Sequence, residues 1–415
     1  MRIKSFSIFI ISILASVNLN GQNLDLHSKY FSGKYFSMAG TGAGLAGGIN
    51  TFDINPGSLG FIKKRSYSVS YNINLYSYYL SRENADMYGV YEYDWNKIQH
   101  NFDNVLAVFP GKNKFSFGGG IIRKLSPYVQ NESRALTMSK LFEQETSGGV
   151  YAIILSSSYR MSEKLSVGIS MYGYDGIIRS EIKGDLHGAD LDKWALLENK
   201  LSGLNFRLGL LYKSENFSSG LVIESPYKMK LKNGTSLSDD KKYEYLFPGS
   251  VKQKWNMPTI IRLGISYFGL KNCLISFDIE SRMYISSEIN LNVWEYGEKP
   301  NWKNIGIIRT GFEVYPFKNK TIPFRAGYAL IPQLYASNIS YGQGYFIEEY
   351  ENTDQIKKQL FSIGFSFPVN KIILNIGLAY NIYTWEREIQ AVALVNENFR
   401  EKNFLLNVSI LHTIE

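Results

Sequence analysis

The sequence predicts an all-β fold: a transmembrane outer-membrane β-barrel of about 14 antiparallel strands with an N-terminal hatch, or plug, in its lumen. Three observations predict it. Apolar and polar residues alternate strictly over stretches longer than ordinary globular strands. The gaps between these stretches are alternately tiny and long, as periplasmic turns and extracellular loops are. Charged residues fall on the polar face of stretch after stretch, whereas a soluble sandwich would turn its apolar faces inward.

Composition agrees. The chain has 415 residues, 45% hydrophobic and 15% aromatic, with 30 Tyr, 25 Phe and only 11 Pro. Aromatic side chains suit a pleated, half-buried surface. Past the N-terminus no apolar run reaches the roughly 18 residues that a spanning helix needs. The formal net charge is +8 and no block of Lys and Arg resembles a nucleic-acid arm, so no nucleic-acid partner is expected. Cys273 is alone, which excludes an internal disulfide framework.

Residues 1–21 begin MRIKSFSIFIISILASV: Arg2 and Lys4 precede an apolar stretch from about Phe6 to Val17. This is the pattern of a secretory signal peptide, with cleavage expected near Gly21. Residues 22–64 are expected to form the plug. They contain Gly42-Ala43-Gly44-Leu45-Ala46-Gly47, a literal G-x-G-x-x-G. A dinucleotide loop needs a strand before it and a helix after it. Pro56 and Gly57 would break that helix and no βαβ unit follows, so the nucleotide reading is rejected. A polar, glycine-rich segment too hydrophilic for lipid can fold inside the barrel instead, with Gly40, Gly42 and Gly44 permitting close approach to the wall and Asn55-Pro56-Gly57 forming a rigid turn.

Residues 65–415 are expected to form the barrel. The first strand, RSYSVSYNINLYSYYL, sets Tyr67, Val69, Tyr71, Ile73 and Leu75 against Ser66, Ser68, Ser70, Asn72 and Asn74. Candidate strands follow near 101–110, 114–126, 148–161, 164–180, 203–214, 217–232, 258–269, 272–290, 304–317, 321–333, 358–368, 371–386 and 402–413. On the polar face lie Arg207, Arg262, Arg282, Arg309 and Arg325, together with Asp278, Glu280 and Glu313. The arginines are candidates to hold a fatty carboxylate by charge-assisted bonds, but the acids on the same face favour a wall-stiffening lattice. Two segments in the long gaps are candidates for capturing an apolar ligand. Leu191, Trp194, Leu197 and Leu201 stand near helical spacing, and 134–145 offers Met138 and Phe142.

No G-x-S-x-G elbow is present, and His27, His100, His187 and His412 are scattered without ligand spacing. No enzyme activity, cofactor or metal is therefore expected.

SMAGTGAGLAGG followed by DINPGSLG and a long first strand resembles the N-terminal hatch of FadL-type outer-membrane transporters. NMPTIIRLGISYF at 256–268 and IRTGFEVYPFKNKTIPFRAGYAL at 308–330 resemble strands of the same family. The resemblance implies a monomeric, plugged 14-stranded barrel that passively takes up hydrophobic small molecules such as long-chain fatty acids or aromatic hydrocarbons. Extracellular loops would capture the ligand, and a lateral opening would release it to outer-membrane lipid. No ligand contact of the family carries over onto QNLDLHSKYFSGKYF, and the chain ends SILHTIE where many such barrels end on an aromatic residue. The alternative is a FadL-like barrel that docks or shuttles proteins for a type IX-like secretion system.

Overall fold

A computed structural model describes residues 33–84, 89–111, 113–125, 129–134, 141–186, 189–237, 252–287, 303–317, 321–336, 341–343, 346–348, 355–390 and 394–414. The expected signal peptide, residues 1–21, and residues 22–32 of the expected plug lie outside them.

The strands are β1 Arg65–Asn84, β2 Gly89–Pro110, β3 Phe115–Leu125, β4 Val129–Arg134, β5 Leu141–Arg160, β6 Leu165–Leu186, β7 Ala189–Lys213, β8 Phe217–Glu224 and β9 Tyr227–Leu237. They continue as β10 Lys252–Met257, β11 Ile260–Tyr267, β12 Cys273–Arg282, β13 Ile305–Val314, β14 Phe324–Ala336, β15 Tyr341–Gln343, β16 Phe346–Glu348, β17 Gln355–Val369, β18 Ile372–Gln390 and β19 Leu394–Ile414. Except for the small ribbon β15–β16, all join one sheet of 17 strands. Each pairs antiparallel with its neighbours, and β1 pairs with β19, which closes the sheet. Three wall positions are each shared by two consecutive strands: β3 with β4, β8 with β9, and β10 with β11. The wall is thus a closed barrel of 14 antiparallel staves.

Closure is what lets strands cross a bilayer, because every backbone donor and acceptor finds its partner inside the wall. The pleat sorts the side chains. Val69, Ile153, Leu155, Leu208, Leu263, Ile363 and Leu378 face outward, while Ser68, Ser70, Asn72, Ser170, Asn205 and Asn407 are buried on the inner face. Near the short turns the outer face carries an aromatic belt. Tyr67 meets Phe109 edge-on with centroids 6.0 Å apart, Phe115 lies 4.9 Å from Tyr159, and Tyr212 lies 5.8 Å from Phe217. Amphipathic rings of this kind settle at the membrane–water boundary. The short turns draw on residues that tolerate positive φ: Asn113 at 57°, Asn272 at 62° and Asn370 at 56°.

One expectation is corrected. Four of the long gaps, 81–100, 127–147, 181–202 and 387–401, are mostly strand rather than loop. β1 runs on to Asn84 before β2 begins at Gly89, and β6 reaches Leu186 before β7 begins at Ala189. Ladder pairing continues through these segments after the outward face ceases to be apolar. Alternation marks the lipid, not the strand, so the signal fades where the strands leave the bilayer.

Residues 33–61 lie within the barrel as three 3-10 turns, Gly33–Met38, Ile49–Thr51 and Pro56–Phe61. Met38, Ala39, Ala43, Phe52, Ile54 and Leu59 are buried there against inward-facing wall residues.

Candidate functional site

The inner segment is held to the wall by specific bonds. Asn55 caps the last turn: its side chain accepts from the Gly57 amide at 2.9 Å and donates to the carbonyls of Ala43 at 2.7 Å and Leu210 at 3.1 Å. Pro56 follows at the first turn position, where its missing N–H costs nothing. The amides of Gly42 and Ala43 both donate to Oδ2 of Asp278, at 2.9 and 3.1 Å. Successive amides of this kind form an anion-binding concavity. In this chain the anion is a wall carboxylate, which is what the G-x-G-x-x-G sequence serves.

Further bonds run to the rest of the circumference. Arg262 donates to the Gly40 carbonyl and Ser218 to the Gly44 carbonyl. Ser362 accepts from the Ala39 amide at 2.8 Å, and Asn407 accepts from the Gly33 amide at 3.2 Å. Asp53 receives Lys124 at 2.9 Å and Tyr172 at 3.2 Å, and Arg207 donates to its carbonyl. Burial pushes the Lys34 ammonium down from its ordinary value, Glu313 opposes the shift and Arg325 adds to it; burial also pushes the Tyr35 phenol up. Replacing Asn55 with alanine removes one capping acceptor and two donors at once. We expect a loss of about 1–3 kcal/mol, read as a lower urea midpoint of the detergent-solubilised barrel. Asn55→Asp should not rescue it, because a carboxylate cannot donate to Ala43 or Leu210.

All five sequence-predicted arginines are buried and paired with acids. Arg207 pairs with Glu224, Arg262 with Asp278 (Nε to Oδ2 3.0 Å), and Arg325 with Glu313 at 2.5 Å. Arg282 and Arg309 both reach Glu280, at 2.7 and 3.0 Å, with Arg262 3.5 Å away. The arrangement is a lattice of opposite charges across neighbouring strands.

The ligand-capture candidates fare differently. Leu191, Trp194, Leu197 and Leu201 do not form a helix. All four lie in β7, which pairs with β6 on one side and β9 on the other. Three of the four also satisfy the strand period of two, so ladder pairing overrides the weak helical spacing. Leu201 is fully buried on the inner face. Phe142 lies in β5, while Met138 falls outside the described residues.

Around Leu201 the structure assembles a group that sequence reasoning missed. Tyr172, Tyr174, Tyr227, Met229, Leu231, Trp255, Met257, Tyr284 and Ile305 form one buried apolar cluster, continuous with Ile49, Phe52 and Leu59 of the inner segment. Tyr174 stacks on Tyr227 with centroids 5.3 Å apart and an interplanar angle of 9°; Tyr172 stacks beyond it at 6.3 Å. The cluster sits beside a discontinuity in the wall. The seventh stave breaks at Ser225–Pro226 and the eighth at Pro258–Thr259, where β8 and β11 stop pairing and β9 and β10 take over. Proline cannot donate to a ladder, so paired prolines interrupt both strands at one level. Beyond the break the polarity inverts: Met229, Leu231, Trp255 and Met257 point inward while Lys228, Lys230, Lys232 and Lys254 point out. The signal stands in the sequence as YKMKLK and KQKW, apolar residues alternating with lysine instead of with serine or asparagine.

No curated protein matches the sequence. Solved structures share its fold. The crystal structure of a Pseudomonas aeruginosa FadL homologue superposes with a TM-score of 0.65 at 12% identity, covering 92% of this chain and 98% of that one. The P. putida toluene transporter TodX gives a TM-score of 0.58 at 13% identity over 94% of this chain and 100% of that one. The Ralstonia pickettii toluene transporter TbuX gives 0.56 at 14% identity over the same shares, 94% and 100%. The FadL likeness read from the hatch residues thus holds at the level of the fold. The family model that matches is the one described as BamG, over residues 34–411, and the chain belongs to the BamG family.

Proposed function

We propose that the barrel is a passive outer-membrane channel for hydrophobic small molecules, such as aromatic hydrocarbons or long-chain fatty acids. The observation that carries this reading is an aromatic and methionine-rich cluster on the inner face of the wall, directly beside the break at Ser225–Pro226 and Pro258–Thr259. Stacked tyrosines and methionines adapt to irregular apolar ligands. Residues 33–61 act as the plug that closes the periplasmic half, so the ligand moves sideways through the broken wall into lipid. Burial of apolar surface, about 0.8 kcal/mol per CH₂, drives its capture. The toluene transporters of the same fold support the substrate class. Cells lacking the gene should take up labelled toluene or oleate more slowly; unchanged uptake of both would defeat the proposal. The double substitution Met229→Ala with Met257→Ala should weaken ligand binding about tenfold, or about 1.4 kcal/mol.

One observation favours a second reading, docking of secreted proteins. β6 has 22 residues and β7 has 25, which at about 3.3 Å per residue and a tilt near 40° stands about 55 Å tall. That is about twice the apolar band and leaves a broad rim beyond the membrane. Stoichiometric protein partners in a pull-down from solubilised membranes would favour docking; a co-purified apolar small molecule would favour transport.

A further inference from the structure

In sequence the positive charge is spread along the chain, but the ladder gathers part of it. Lys232 of β9, on the outer face, lies directly opposite Lys200 of β7, and its backbone pairs with that of Lys252 of β10 on the other side. One step lower, Lys230 lies between Ser202 and Lys254, and Lys228 is opposite Asn256. Lys200, Lys228, Lys230, Lys232 and Lys254 are exposed. Among the described residues none of these five has an ion-pair partner. The nearby carboxylate of Glu198 is taken by Arg179 at 2.9 Å, and Asp175 stands one strand away, opposite Ser202.

Like charges directly opposite one another weaken a ladder, so the arrangement works against folding. Lysine is often used to guard a free strand edge, but residues 229–232 of β9 are paired on both sides, so Lys230 and Lys232 have no edge to guard. The height of the patch suggests what offsets the repulsion. Lys228 is one residue beyond the Gly203–Met229 pair, level with Leu204, which is the last of the outward apolar row Leu204, Phe206, Leu208 and Leu210. The lysines therefore begin where the hydrocarbon band ends. They rise about 10 Å through the headgroup layer at the end of the barrel away from the short turns. Those short turns mark the periplasmic side, so the layer belongs to the outer leaflet.

We propose that this lysine lattice on β7, β9 and β10 binds the phosphorylated headgroup of an outer-leaflet glycolipid. A phosphate set between two rows of ammonium groups neutralises their repulsion and anchors lipid against the wall where it is interrupted.

The test titrates the full-length barrel in mild detergent with bis-phosphorylated lipid A, with dephosphorylated lipid A and with inorganic phosphate, reading bound lipid by native mass spectrometry. The protein should retain the phosphorylated glycolipid and lose it as salt rises from about 50 mM to about 500 mM. Combining Lys228→Gln, Lys230→Gln, Lys232→Gln and Lys254→Gln should weaken retention by roughly a hundredfold, whereas the four Lys→Arg changes should preserve it. Heat-modifiable migration reports whether each variant has folded, and the salt dependence of the unaltered protein stands without any variant. Equal retention of dephosphorylated lipid A, indifference to salt, retention by a folded glutamine variant within twofold of the unaltered protein, or displacement by inorganic phosphate or an acidic peptide as effective as by lipid A would overturn the proposal.

Discussion

Replacing Glu280 with alanine is expected to destabilise the barrel by about 3–5 kcal/mol, among the largest effects of any single truncation in the wall. Glu280 is fully buried and receives Arg282 at 2.7 Å and Arg309 at 3.0 Å, with Arg262 at 3.5 Å. Removing it takes from three buried guanidinium groups the carboxylate that they share, and the neighbouring Asp278, which pairs with Arg262, already accepts the amides of Gly42 and Ala43. The urea midpoint of the detergent-solubilised protein measures the loss. Arg179→Ala supplies the contrast. Its ion pair with Glu198 is solvent-exposed, with side chains 53% and 40% accessible, so its loss should cost under about 1 kcal/mol. Equal effects for the two substitutions would mean that the lattice contributes no more than a surface pair.

A substitution of Gly220 by valine is expected to displace the plug. A Cβ built at Gly220 would lie 1.8 Å from the carbonyl oxygen of Ala43 and 2.6 Å from Nδ2 of Asn55. Gly327 is similar, with a Cβ 2.3 Å from the carbonyl carbon of Met38. Both obstacles are backbone of the inner segment, which cannot swing away as a side-chain tip can. Overpacking costs about 1–3 kcal/mol in a core that can adjust, and more where it cannot. We expect the plug of Gly220→Val to become sensitive to protease while the barrel still migrates as folded. Gly306→Val, where a Cβ meets nothing within 4 Å, should leave the plug resistant. A resistant plug in Gly220→Val would show that the wall and plug do not touch as described.

The barrel was legible because lipid imposes a one-dimensional rule on the chain. Wherever a strand crosses hydrocarbon, alternate residues must be apolar, and Tyr67 to Leu75 or Phe206 to Tyr212 carry that rule in plain view. The short turns were legible for a related reason, since little chain separates one alternating stretch from the next. Above the membrane the rule lapses, so the extensions of β6 and β7 read as loops and their leucines as a helix. The apolar cluster of Tyr174, Tyr227, Met229 and Trp255 was missed because its residues come from three separate staves and face inward, against the rule that held lower down.

The recurrent Arg-x-Gly strands show the division most clearly. By sequence alone, Arg207-x-Gly209, Arg262-x-Gly264, Arg309-x-Gly311 and Arg325-x-Gly327 are positions on the polar face of wall strands, and nothing in a single strand explains the glycine. In the folded protein the arginines join the acidic lattice, and each glycine leaves space for the inner segment of residues 33–61. The chain alone determined the membrane-crossing parts of the strands, their two faces and the number of staves, because periodicity is local and a membrane reads it locally. Which carboxylate neutralises which arginine, what the Gly42–Ala43 amides hold, and where lysines converge were decided only by the folded structure. The charge pairings depend on register between neighbouring strands and the Gly42–Ala43 contact on a wall residue distant in the chain, and both are fixed by tertiary contact.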